Sequence, residues 1–287
     1  MPKVAENTDN SYNADSPNSL PQTLREALVM RRKYDLIPYS GGTDLMVEEN
    51  SDEKDYLFIG NLLELKNITE DEKYIRFGAG ATFYEVLNHK LTPPILKEAC
   101  KQIAAPAIRN AGTVGGNIAN GSAKADSALV FMVTDSKIRL ASSDSERIIP
   151  INEFYLGGGK TALKNDELII EILMPKHGIE NYSYTKIGAR NALAISRVSF
   201  AGIADIQDGI INNYTVAFGA VIDTIIRRSD IDIMMIGKTI EEAKLIVDDY
   251  IDAYDKAIVP RRGRVGVEYR KDVCMNLLRD FIANTIC

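Results

Sequence analysis

The chain has 287 residues, 45% hydrophobic and 26% charged, which is enough apolar material for two or three folded domains. A net charge of -6 with no large basic cluster argues against nucleic acid as a partner, and the densest basic run, Arg261 to Arg264, reads as a solvated turn. Cys100, Cys274 and Cys287 form neither a metal-binding pattern nor a disulfide framework, which suits a reducing cytoplasm, and no signal peptide or membrane-spanning apolar run is visible.

The polar residues 1–18 predict an extended lead-in. Ser19 and Gln22 have capping-box spacing and Leu20, Leu24, Ala27 and Leu28 recur helically, so a helix is expected from there to about Lys33. "DLIPY" predicts a short strand, broken by "SGGTDL" (residues 40–45). "YLFIGN" and "KYIRFGAG" read as strands, and "ATFYEVLNHK" and "PPILKEACKQIA" as helices. Next comes "RNAGTVGGNIANGSAKADS" (residues 109–127), with four glycines among small polar residues, and then a helix over "SALVFMVTD". "KIRLAS", "RIIPI" and "DELIIEILMP" are expected strands. Proline, glycine and charge together mark a boundary over 175–180. Beyond it lie three long strands, "NYSYTKIGAR", "ISRVSFAGIADIQ" and "IINNYTVAFGAV", with a turn at Asp208-Gly209, and two closing helices. Strands first and helices after is an α+β pattern.

Two glycine motifs are decoys. "FGAGATF" has Phe83 where a dinucleotide fingerprint needs its third glycine, and a tight strand–helix turn explains it. "GGGKT" resembles the end of a P-loop, but Phe154 stands where that motif needs glycine and no helix follows Lys160. "SGGTDL" and "GTVGGNIANGS" carry more. Adjacent glycines at 41–42 and 115–116 let backbone amides converge on an anion, with Ser40, Thr43, Thr113, Asn117, Asn120 and Ser122 as small donors beside them. Either segment alone reads first as a tight turn. Together, and without a central lysine, they suit a pyrophosphate held by neutral amides.

"SGGTDL", "IRNAGTVGGNIANGSAKADSA" and "KIGARNALAISRV", in that order, resemble the FAD-binding subunit of the molybdenum hydroxylases, from about Ser19 to the C-terminus. "NGSAKADSA" followed by "INEFYLGGGK" is most similar to the separate FAD subunit of bacterial xanthine dehydrogenases. The resemblance implies an α+β fold: a PCMH-type, vanillyl-alcohol-oxidase-like FAD-binding domain of two subdomains (19–75 and 76–176) and a C-terminal α+β domain (181–287) with an antiparallel sheet and helices. By position, it implies that Pro38, Tyr39, Ser40, Gly41, Gly42, Thr43 and Asp44, with Thr113, Gly115, Gly116 and Asn117, line the FAD phosphates and ribityl chain. Asn120 and Ser122 follow along the same loop. Asp126 would bond the sugar-alcohol side, Ile103, Ala104 and Ile169 would lie by the ring, and Lys186 near its polar edge. Read from the residues alone, Asp126 caps a helix, Ile169 is a core strand residue and Lys186 is solvated. Ile103 stands where many relatives carry an aromatic residue.

The resemblance further implies an oxidoreductase subunit with no catalytic side chain and no metal of its own. Electrons would come from a [2Fe-2S] subunit and a molybdopterin-binding subunit and pass through FAD to NAD. Related hydroxylases of nicotinate, carbon monoxide or aldehydes, or a flavin-binding scaffold that reduces no NAD, remain open alternatives. Lys186 is the expected positive group by the ring.

Overall fold

The structure is a computed structural model that describes residues 19–48, 54–190, 193–261 and 265–287. The expected lead-in over 1–18 and residues 262–264 of the basic run lie outside the described residues.

In chain order the elements begin with α1 (Leu24–Lys33), β1 (Ile37–Tyr39), β2 (Tyr56–Phe58), β3 (Ile68–Glu70) and β4 (Tyr74–Gly78). Five helices follow: α2 (Phe83–Asn88), α3 (Pro94–Gln102), α4 (Pro106–Ala111), α5 (Val114–Ala119) and α6 (Asp126–Val133). Then come β5 (Lys137–Ala141), β6 (Glu146–Pro150), α7 (Ile151–Phe154), β7 (Tyr155–Gly157), β8 (Lys160–Thr161) and β9 (Leu168–Pro175). The last part holds β10 (Tyr182–Ile187), β11 (Val198–Gln207), β12 (Ile210–Gly219), β13 (Ile226–Arg227), α8 (Ser229–Asp232), α9 (Ile240–Ala257) and α10 (Val267–Thr285).

Two short parallel strands, β1 and β2, form a small sheet under α1. Their core is Ala27, Leu28, Leu36, Leu57 and Leu62, joined by Leu168 and Ile170 of β9. The expected capping box at Ser19 is not there. Thr23 caps α1 by accepting from the Glu26 amide, while Ser19 bridges to Leu57 and exchanges backbone bonds with Tyr56 and Phe58. Ser19 therefore extends the small sheet, an ordering that tertiary pairing decides over local spacing.

A five-stranded antiparallel sheet runs β3-β4-β9-β5-β6, and a four-stranded one runs β10-β11-β12-β13. Helix α6 lies between them, and all eight of its residues are buried. "SALVFMV" carries no polar face because no face of this helix meets water. Thr215 of β12 donates to the Val133 carbonyl at 2.8 Å and so answers the C-terminal end of α6. The far side of the second sheet packs on α9 and α10 through Phe200, Tyr214, Phe218 and Phe281. Helix α9 starts with the capping box Thr239–Glu242, and the Asp208-Gly209 turn has positive φ at both residues, 52° and 76°.

The two decoys resolve as turns. Gly78 has no room for a Cβ against the Leu65 carbonyl, and Gly80 donates to that carbonyl at 2.8 Å. Gly157 to Gly159 all have positive φ at the tip of the β7–β8 hairpin, with no helix behind Lys160.

Candidate functional site

A half-open cleft of about 880 Å³ runs between the loop after β1, the α3–α6 segment and the start of the second sheet. Its size is ordinary for a cofactor site. Pro38, Ser40, Gly41, Gly42, Thr43 and Asp44 form one wall. Among the described residues, none of the backbone amides of Gly41, Gly42, Thr43 and Asp44 has an acceptor. The Ser40 hydroxyl is also buried without a partner. The buried hydroxyl is costly to leave unmet, and the half-exposed amides beside it are free to donate, so the loop is shaped to receive an acceptor-rich group. Gly41 packs so closely on the Ala111 carbonyl that no Cβ fits, and Gly42, at φ 65°, lies against the Tyr39 ring. Tyr39 itself does not line the cleft. It stacks against Tyr56 and Phe58 (centroids 5.5 and 5.1 Å apart) and supports the loop from behind.

The second glycine segment differs from the expectation of free amides. It folds as two short helices, α4 and α5, with Thr113 as the N-cap of α5. The Val114 amide bonds Ala81, the Gly115 amide bonds Ala79 at 2.8 Å, and the Gly116 amide bonds the Thr113 hydroxyl at 3.2 Å. None is left for an anion. Gly115 is glycine because a Cβ would lie 2.5 Å from that of Ala79, whereas Gly116 faces the cleft and a Cβ there would meet only Thr113 Oγ1, at 3.0 Å. What this segment offers the cleft is surface and side chains: Thr113, Gly115, Gly116, Asn117, Asn120 and Ser122 all line it. Asn117 Oδ1 accepts from Ser127, and the Asn120 amide donates to the Asp44 carboxylate across the cleft.

Ile103, Ala104, Ile169, Asp126 and Lys186 line the remaining wall together with Ser196. Ala104 sits at φ 38°, and Arg109 holds it there by donating to the carbonyls of Ile103 and Ala104 at 2.7 and 2.8 Å. Asp126 does not cap α6, whose N-cap is Ala125. Its carboxylate instead reaches Lys186 Nζ at 2.7 Å, with both side chains under 10% exposed, and accepts from Ser196 Oγ at 3.0 Å. Lys186 also donates to the Gln102 carbonyl at 2.8 Å. Burial pushes the Asp126 pKa up, opposed by Lys186 and Ser196. Burial and the neighbouring Asp126 carboxylate push the Tyr184 pKa up too. Cys100 is buried with its pKa pushed up to about 12, so it is an inert thiol.

Arg109 and Ser196 are the residues that sequence reasoning missed. Both lie inside the motifs already singled out, but an arginine aimed at backbone carbonyls and a serine bonded to a helix 70 residues earlier leave no local signature. Ile169 is both a core strand residue and a wall of the cleft.

Residues 15–177 match the model for the FAD binding domain in molybdopterin dehydrogenase, and residues 183–285 that for the CO dehydrogenase flavoprotein C-terminal domain. The chain belongs to the FAD-binding medium-subunit family of the molybdenum hydroxylases. The xanthine dehydrogenase FAD-binding subunit of Escherichia coli O157:H7 is 34% identical over 197 residues, 66% of this chain and 68% of that one. The nicotinate dehydrogenase FAD-subunit of Eubacterium barkeri is 28% identical over 295 residues, covering 93% and 94%. The fold is that of the carbon monoxide dehydrogenase structure from Hydrogenophaga pseudoflava: TM-score 0.83 at 23% identity, over 92% of this chain and 94% of that one.

The cleft fits the cofactor of this flavoprotein family. Unmet amides and an orphaned hydroxyl suit phosphate oxygens, apolar Ile103 and Ile169 suit a flat ring, and the Asp126–Lys186 pair adds polar contacts between them. Among the described residues no cluster of metal-ligating side chains occurs, and no helix is long and apolar enough to cross a membrane.

Proposed function

We propose that this FAD-binding subunit serves a xanthine or purine dehydrogenase, passing electrons from a partner [2Fe-2S] subunit to NAD. Substrate oxidation would occur on a molybdopterin-binding partner, in the cytoplasm. When bound, FAD supplies a centre that takes electrons singly and delivers them as a pair. The chain's residues hold and orient it. Ser40 and the amides of Gly41 to Asp44 receive the pyrophosphate, because they are the donors left without acceptors. Thr113, Gly115, Gly116 and Asn117 form a close-fitting floor, with Asn120 and Ser122 further along it. Ile103, Ala104 and Ile169 exclude water from the ring, and Lys186, held by the Gln102 carbonyl and Asp126, lies at the polar edge. The domain limits that go with this reading are 19–75, 76–176 and 181–287.

The unmet donors of the first loop carry the site assignment, and 34% identity to a xanthine dehydrogenase subunit supports the substrate class. The nearly full-length match to a nicotinate dehydrogenase subunit favours nicotinate as the second reading. The test is reduction of the flavin in the purified complex by xanthine or by nicotinate, followed by NAD. Bleaching by xanthine and recovery with NAD are expected. Flavin that NAD cannot reoxidise overturns the acceptor, and bleaching by nicotinate alone overturns the substrate.

A further inference from the structure

Lys186 is the expected cation of the cleft, but its surroundings do not leave it a free charge. Its ammonium is 2.7 Å from Asp126 Oδ2, and both side chains are almost fully buried at 8% and 7% exposure. Ser196 Oγ holds the other carboxylate oxygen at 3.0 Å, and the Gln102 carbonyl fixes the ammonium from a third side at 2.8 Å. The pair is stitched from three elements: β10 supplies Lys186, the first turn of α6 supplies Asp126, and the approach to β11 supplies Ser196. A buried pair held this tightly acts at a distance as a dipole, because the two charges largely cancel beyond their own separation. Lys186, Asp126 and Ser196 all line the cleft, so a cofactor lying there senses both members.

We propose that Asp126 sets the effective charge of Lys186 and thereby holds the bound flavin at a lower reduction potential than a lone lysine would. This rests on the reading that Lys186 lies beside the flavin ring. Two-electron reduction at neutral pH adds two electrons and one proton to the ring and so leaves one extra negative charge. A bare ammonium would favour that state, whereas a neutralised one favours it much less. Asp126 is thus a positioning residue acting through Lys186. A modest potential suits a centre that must hand electrons onward rather than retain them.

The experiment is a reductive titration of the flavin against a reference dye, on the full chain purified with whatever chains accompany it. Asp126→Asn should move the oxidised–reduced equilibrium toward the reduced form by about tenfold, which is about 30 mV for a two-electron couple. Lys186→Met should move it less than about threefold, because without the ammonium the buried Asp126 carboxylate, whose pKa burial pushes up, takes up a proton and the site stays neutral. An unmoved potential in Asp126→Asn overturns the proposal. Should Asp126→Asn lose its flavin, Ser196→Ala takes its place. It removes one donor to the carboxylate and should shift the equilibrium in the same direction by a few-fold, and no shift there overturns the proposal. Wild-type protein without flavin overturns the reading beneath it as well, whereas bound flavin with an unshifted potential breaks the proposal alone.

Discussion

The two paired-glycine segments read alike as sequence and behave differently as structure. In "SGGTDL" the glycines bring the loop against Ala111 and leave four amides and the Ser40 hydroxyl without acceptors. In "TVGGN" the amides at 114, 115 and 116 all have partners, and Gly115 exists so that α5 can rest on Ala79. The first pair prepares an anion site and the second packs a helix. Paired glycines therefore signal close backbone approach, and only the count of unmet donors tells what is approached.

Substitutions can break or sharpen this contrast. Gly41→Ala should have the largest effect, because its Cβ would enter the Ala111 carbonyl and separate the two segments. A loss of about 3 kcal/mol or more, read by denaturant unfolding, is expected together with loss of flavin. Gly115→Ala should cost about 2 kcal/mol against the Ala79 contact, yet leave flavin bound in the folded fraction. Flavin release from a fully stable Gly115→Ala chain would return the phosphate role to the second segment. The Cβ of Gly116→Val would meet only the Thr113 hydroxyl, so the chain should still fold while FAD affinity falls about tenfold, or about 1.4 kcal/mol, by equilibrium dialysis. Ser40→Ala should be the mildest. Removing an orphaned hydroxyl should leave the flavin-free chain as stable as before or slightly more so, with affinity reduced a few-fold. Unchanged affinity would take Ser40 out of the anion site.

Long, strongly periodic elements were legible from the chain itself. The long apolar-rich runs "VSFAGIADIQ" and "IINNYTVAFG" around Asp208-Gly209 yield β11, its turn and β12, and the mostly apolar "SALVFMV" yields a helix buried on every side. The short elements were not. α4 and α5 have six residues each, below the length at which a helix holds itself, and α5 is anchored by the bonds of Val114 and Gly115 to Ala81 and Ala79. Ser19 carried a capping spacing, but a strand partner at Leu57 claimed it and Thr23 became the cap.

The same division holds at the cleft. The sequence determined which residues are small, polar or apolar enough to surround a flavin nucleotide, and by its motifs which family the chain belongs to. Tertiary structure decided what each does there. It turned Tyr39 behind the loop, closed the amides at 115 and 116, set Arg109 on the Ile103 and Ala104 carbonyls, and joined Lys186 of β10 to Asp126 of α6. Hydrogen-bond satisfaction and charge pairing depend on neighbours distant in the chain, which local pattern does not encode.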